Sequence, residues 1–105
     1  MRHMLHCGVI GSFADKATED IFHGPNTRAA PRICPQELWR VATRKLDQLD
    51  SAETIEDLRL PPGNRLERLS GIRSGEFSIR INGQFRVCFR WSPAGPTDVV
   101  VEDYH

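Results

Sequence analysis

The sequence predicts an α+β domain in which an N-terminal strand and two helices pack on one face of an antiparallel sheet of about four strands. Helical patterns are confined to the first part of the chain, and segments that alternate between apolar and polar residues fill the second part. The 105 residues are enough for one domain with its own core. We place this domain at residues 9–105 and expect a disordered or extended leader at residues 1–8.

The N-terminal part is predicted to hold a short strand and two helices. Residues 9–13 form the strand, and residues 15–23 form a helix that Gly24 and Pro25 end. Residues 24–35 contain three prolines and are a loop. Pro35 begins the second helix, and its inward face consists of Leu38, Val41, Ala42, the Lys45 stem, Leu46 and Leu49.

Two features border the second helix. Trp39 flanks its apolar face, so packing is the favoured role and a partner-binding surface is the alternative. Residues 54–57 resemble a capping box with Asp in place of Glu, which opens one helical turn that Pro61 and Pro62 end.

A β-hairpin is the clearest pattern in the second part of the chain. Apolar residues alternate with polar ones over 77–81 and again over 85–91. A three-residue loop over 82–84, with Gly83 left-handed, keeps the apolar residues on one face, whereas a two-residue loop would mix the faces. The hairpin then pairs Ile79 with Val87 and Arg80 with Arg86. Residues 65–69 and 97–102 are the other predicted strands, and residues 70–75 are a turn.

Arginines dominate the stretch that contains the hairpin. Residues 59–91 carry two glutamates, no lysine and seven arginines, at positions 59, 65, 68, 73, 80, 86 and 90. We therefore expect a basic sheet face opposite the helices, suited to phosphate. Like charges opposite each other on a sheet repel, so the Arg80–Arg86 pair indicates either an anion site or two solvated side chains that splay apart.

Composition excludes several classes of protein. Lysine plus arginine number 14, as do aspartate plus glutamate, so net charge favours no partner. The three cysteines lack metal-ligand spacing, so we expect no disulfide framework, no metal site and no cofactor, in a reducing cytoplasm. No apolar run is long enough to span a membrane, and no signal peptide is recognisable.

The residues Asp103, Tyr104 and His105 follow the last predicted strand. A histidine near an arginine-rich sheet can transfer protons near neutral pH. RNA supplies its own nucleophile, the 2′-hydroxyl, so a histidine and an arginine can support much of its cleavage without metal. An accidental terminal histidine is the alternative.

Three segments carry a resemblance to a known family: KLDQLDSAETIEDLRLPPG, PPGNRLERLSGIRSGEFSIRINGQFRVCFRW and VEDYH. Together they resemble the HigB toxins of the RelE/ParE superfamily, near its GraT-like "killer protein" branch, over residues 9–105. The resemblance implies a type II toxin that is a ribosome-dependent endoribonuclease and cuts translated mRNA in the decoding site. It also implies a HigA-type helix-turn-helix antitoxin, with operator DNA bound only through the antitoxin complex.

The resemblance also assigns residues. His105 would transfer the proton, Tyr104 would stack or orient, Asp103 would tune or position, and Arg86 would stabilise phosphate charge. Further RNA contacts would come from Arg65, Arg68, Arg73, Arg80 and Gln84. Other HigB toxins can carry His at the position of Glu67 and Lys at that of Ser70. Catalysis would then be weaker, or Glu67 would serve as the base.

Two other functions stay open on the sequence alone. One is a non-enzymatic ParE-like toxin that inhibits gyrase, and the other is a weakly active regulatory partner of an antitoxin. For antitoxin contact, the sequence indicates the helical side, around Trp39 and the acidic residues 47–57.

Overall fold

The computed structural model describes residues 10–23 and 35–103. The predicted leader at residues 1–8 and the predicted loop at residues 24–35, except for Pro35, lie outside these ranges. So do Tyr104 and His105.

The first helix, α1 (Lys16–His23), confirms the prediction for residues 15–23. Asp15 caps it, since Asp15 Oδ1 accepts a hydrogen bond from the Thr18 N–H at 2.8 Å. The segment before it runs parallel to the last strand, with a bridge between Phe13 and Val99. The predicted N-terminal strand is therefore an extended segment that pairs at the sheet edge.

The second helix, α2 (Trp39–Ser51), follows a 3₁₀ turn at Gln36–Leu38. Ala42, Leu46 and Leu49 are fully buried, as the pattern predicted. Trp39 is 8% exposed and belongs to the core, so the favoured packing role is confirmed.

A 3₁₀ helix at Ile55–Arg59 carries the predicted capping box. Asp57 Oδ2 accepts hydrogen bonds from the N–H groups of Glu53 and Thr54. These bonds lower the pKa of the Asp57 carboxyl, the Thr54 bond first and then the Glu53 bond. A second 3₁₀ turn, Pro62–Asn64, leads into the sheet.

Four strands form one antiparallel sheet in the order β1 (Glu67–Arg68), β2 (Glu76–Arg80), β3 (Phe85–Ser92) and β4 (Gly95–Asp103). A 3₁₀ turn, Gly71–Arg73, connects β1 to β2. The first strand is shorter than predicted because Arg65 is left-handed, with φ 46°. The last strand begins two residues earlier than predicted.

The hairpin of β2 and β3 has the predicted register, with Ile79 opposite Val87 and Arg80 opposite Arg86. The expectation of a left-handed Gly83 was wrong, since its φ lies outside the positive range. Asn82 closes the loop instead, because its Oδ1 accepts the N–H groups of Gln84 at 2.8 Å and Phe85 at 2.7 Å. A side chain therefore performs the role that was assigned to glycine.

The apolar sheet face holds the core against both helices. Ile21 and Leu46 from the helices pack with Val87, Phe89 and Val99 from the sheet. The predicted α+β architecture is thus confirmed. In the described part of the chain, no helix combines the length and apolar character required to cross a bilayer.

Candidate functional site

Arg86 lies at the centre of the sheet face opposite the helices, which we call the arginine face. It is 7% exposed, and its Nε donates a hydrogen bond to Ser78 Oγ at 2.7 Å. Its Nη2 donates to the carbonyl oxygens of Arg65 and, at 3.3 Å, Ser78. These three neutral oxygens fix the direction of the guanidinium, and a carboxylate oxygen of Glu67 lies 4.0 Å from its Nη2.

The Arg65 carbonyl is held in place by its neighbour Asn64, which is fully buried. Asn64 Nδ2 donates to Gln48 Oε1 at 3.0 Å and to the carbonyls of Leu58 and Leu60. Asn64 Oδ1 accepts from Lys45 Nζ, a group whose pKa burial lowers, with a smaller effect of Arg44. Nothing in the sequence marks Asn64 as a buried residue, because an Asn after Pro-Pro-Gly has the pattern of an exposed turn residue.

Two of the sequence-predicted site residues lie next to Arg86. Glu67 Oε1 is 4.0 Å from Arg86 Nη2, and half of the Glu67 side chain is exposed. Arg80 is opposite Arg86 in the sheet and half-buried. The Glu67 carboxylate and the Arg86 guanidinium therefore lie close together, where a phosphate and a proton acceptor could be held, and the Arg80 guanidinium lies near Gly83 in the hairpin loop.

Arg73 reaches across the arginine face to two carboxylates. Its Nη1 and Nη2 bind the two oxygens of Glu102 at 2.7 and 3.0 Å, and Nη2 also binds Glu76 at 2.9 Å. These contacts, with Glu102 first, raise the pKa of Arg73. The structure therefore places Arg73 in an ion-pair network, which the sequence did not anticipate, rather than beside Arg86 as a second cation.

Arg68 lies on the other side of the sheet. It is paired with Phe77, whose neighbour across the next strand is the core residue Phe89. Its guanidinium sits over the Phe77 ring, 5.5 Å from the centroid. Arg68 therefore does not join the cluster around Arg86.

Gln84 and Asp103 meet at the end of the hairpin, where Gln84 Nε2 donates to Asp103 Oδ2 at 2.8 Å. Asp103 is exposed and pairs with Phe85 at the end of β4. Of the predicted terminal triplet, Asp103 is described, and Tyr104 and His105 lie outside the described residues.

The arginine face is less basic than the sequence suggested, because acidic residues from β1, β2 and β4 join it. Glu67, Glu76 and Glu102 face the arginines, and Arg90 lies 3.9 Å from both Glu76 and Asp98. The arginine-rich stretch itself contains only two glutamates, and the pairing of β4 with β3 adds Glu102 and Asp98. The face is an alternating network of charges with Arg86 in its middle.

Cys88 lies on the same face and is fully buried. Burial, with a smaller effect of the Glu102 charge, raises the pKa of this thiol to about 12. It is therefore not a nucleophile near neutral pH. Within residues 10–23 and 35–103, no three His, Cys, Asp or Glu side chains are grouped as metal ligands.

Comparison with known proteins agrees with this fold. Residues 11–105 match the family model of the HigB-like toxin, described as the RelE-like toxin of the type II toxin-antitoxin system HigB. Toxin HigB-1 of Vibrio cholerae is 40% identical over 79 residues, which cover 75% of this chain and 80% of that protein. An uncharacterized protein of Haemophilus influenzae is 42% identical over 57 residues, 54% of this chain and 56% of that one.

The fold and these matches define the toxin component of a type II toxin-antitoxin system. The chain belongs to the HigB-like toxin family, which confirms the resemblance found in its sequence. A protein of this class has an antitoxin as its partner.

Proposed function

We propose that this toxin is a ribosome-dependent endoribonuclease that cleaves translated mRNA by metal-independent acid–base chemistry. The observation that carries the proposal is the Arg86 guanidinium, which is nearly buried, held by neutral oxygens and 4.0 Å from the Glu67 carboxylate. Membership of the HigB-like family supports the same chemistry.

In the proposed reaction, the RNA 2′-hydroxyl attacks the adjacent phosphorus atom and the bond from phosphorus to the 5′-oxygen breaks. A base removes the 2′-hydroxyl proton, and an acid gives a proton to the leaving 5′-oxygen. Arg86 stabilises the charge that develops on the phosphorane oxygens, with Arg80 as a second cation. These roles leave a cyclic phosphate on one product and a 5′-hydroxyl on the other.

We assign the proton transfers to His105, assisted by Tyr104 and Asp103, with Glu67 as the second acid–base group. Asp103 lies at the end of β4 opposite Phe85, where its carboxylate accepts a hydrogen bond from Gln84 Nε2. Glu67 is placed for the role of base because its half-exposed carboxylate lies 4.0 Å from the guanidinium that would hold the phosphate.

The proposed partners follow from the same assignment. The substrate is mRNA in the decoding site of the ribosome, so the toxin acts in the cytoplasm. The antitoxin is a helix-turn-helix protein of HigA type, and operator DNA is bound through the complex of the two proteins. The helical side, over the exposed residues beside the buried Trp39 and over residues 47–57, is the surface we assign to the antitoxin.

A translation extract with mapped cleavage sites tests the proposal. We expect Arg86→Ala and deletion of His105 each to abolish mRNA cleavage and growth inhibition, while both variants still copurify with the antitoxin. Arg59→Ala is the matched control, because this exposed arginine lies on the helical side of the sheet. Unchanged cleavage by both site variants would refute the assignment, and gyrase inhibition without cleavage would indicate a ParE-like toxin.

A further inference from the structure

We propose that Arg73 is a positioning residue that keeps Arg86 available to phosphate by holding the Glu102 carboxylate away from it. This inference rests on the proposed function, since it assigns a regulator to the phosphate-binding arginine of that site.

Glu102 is the direct cross-strand neighbour of Arg86. The two residues are paired in the register of β3 and β4, so both side chains project from the arginine face. Opposite charges at directly opposed positions of a sheet attract each other. Without another partner, the Glu102 carboxylate would have Arg86 as its nearest cation along this pair of strands.

Arg73 takes this carboxylate instead. Its two terminal nitrogens bind both oxygens of Glu102, at 2.7 and 3.0 Å, in the bidentate geometry that gives the strongest pairs of this kind. Glu76 holds the same guanidinium from the β2 side at 2.9 Å. The Arg73 guanidinium is therefore held by carboxylates from two strands, β2 and β4.

Arg73 and Arg86 compete for the Glu102 carboxylate at a site that is only partly exposed to solvent. About a third of the Arg73 side chain is exposed and somewhat less of Glu102, so solvent screens their interaction only in part. Glu67 already lies 4.0 Å from Arg86, so a second carboxylate on the same guanidinium would further reduce the positive charge that attracts a phosphate. Arg73 thus influences the anion affinity of Arg86 although its own nitrogens face protein carboxylates.

A purely structural role for the Arg73–Glu102 pair would use the same contacts. The two interpretations predict opposite effects of Glu102→Gln on the mRNA cleavage rate. If Arg73 and Glu102 only hold the turn to β4, then Glu102→Gln weakens the toxin. If Arg73 sequesters Glu102, then Glu102→Gln leaves the site intact or improves it, because the competing carboxylate is gone.

The experiment compares Arg73→Gln, Glu102→Gln and the double variant. In a translation extract, we expect Arg73→Gln to lower the mRNA cleavage rate about fivefold, the upper end of what one surface charge pair contributes. Glu102→Gln should cleave at least as fast as the parent protein, and the double variant should recover to within about twofold of it. Arg59→Gln, which breaks an exposed pair of the same chemistry on the helical side, is the control.

A second measurement requires no RNA. The NMR resonance of the Arg86 Nε–H should shift in Arg73→Gln, as Glu102 moves to Arg86, and return in the double variant. Slower cleavage by Glu102→Gln, or no recovery in the double variant, would overturn the inference. If Arg86→Ala cleaves like the parent, the proposed function fails instead, and the NMR shifts still decide whether Arg73 sequesters Glu102.

Discussion

Replacing Asn64 by Ala tests how the chain builds the support beneath Arg86. The change removes a fully buried amide that donates to Gln48 and to the carbonyls of Leu58 and Leu60, and that accepts from Lys45. Four contacts of the loop before β1 disappear at once.

The expected loss in the free energy of unfolding depends on which hydrogen-bond partners of Asn64 can reach water after the substitution. The Leu58 carbonyl belongs to a buried bond, so its loss costs about 1–3 kcal/mol. The other three bonds are partly buried and contribute about 0.5 kcal/mol or somewhat more each, the low end for a net hydrogen bond. We therefore expect the free energy of unfolding to fall by about 3 kcal/mol, and Tm by on the order of 12–20 °C for a domain of this size.

Urea unfolding of the purified toxin measures this loss. Asn64→Asp should be as damaging as Asn64→Ala, because the carboxylate keeps the Lys45 contact but turns a donor into an acceptor facing three other oxygens. Gln84→Ala is the control, since its amide is exposed and makes one exposed hydrogen bond, so a change within about 0.5 kcal/mol is expected. A loss below about 1 kcal/mol in both Asn64 variants would refute the reasoning.

Three further predictions concern the sheet and the capping box. Ser78→Ala removes the acceptor of the Arg86 Nε–H and should cost about 1.5–3 kcal/mol in urea unfolding while slowing mRNA cleavage; exposed Ser74→Ala should change neither. Because the folded-state pKa of Asp57 lies below the ordinary value of 3.8, its stabilisation is present above about pH 4 and lost as pH falls through the folded pKa; Asp57→Asn should flatten this part of the pH–stability profile. With a thiol pKa of about 12, Cys88 should resist iodoacetamide at pH 8 until the protein unfolds, as peptide mapping by mass spectrometry would show, and labelling of the native protein would contradict its burial.

The arginine face shows why composition alone overestimated its charge. Seven arginines in one stretch indicated a basic surface, yet Glu102 and Asp98 arrive from β4, a strand that the sequence did not position. The charge of a surface depends on all the strands that share it, so a count along one segment is incomplete.

The sequence by itself determined the features that depend on neighbours along the chain. Strict alternation specified the hairpin register and thus the Arg80–Arg86 pair, because a shift of one residue would have sent every apolar side chain to solvent. The capping box at Thr54 and Asp57 and the two helices are local in the same sense.

Only the tertiary structure decided which side chains meet across distant segments. Arg73 binds a glutamate 29 residues away, Asn64 is buried against α2, and the pairing of β1 with β2 sends Arg68 to the helical side while Glu67 faces Arg86. Each outcome depends on the register and approach of elements that share no local pattern, and in a sheet one residue of register decides which face a charge occupies.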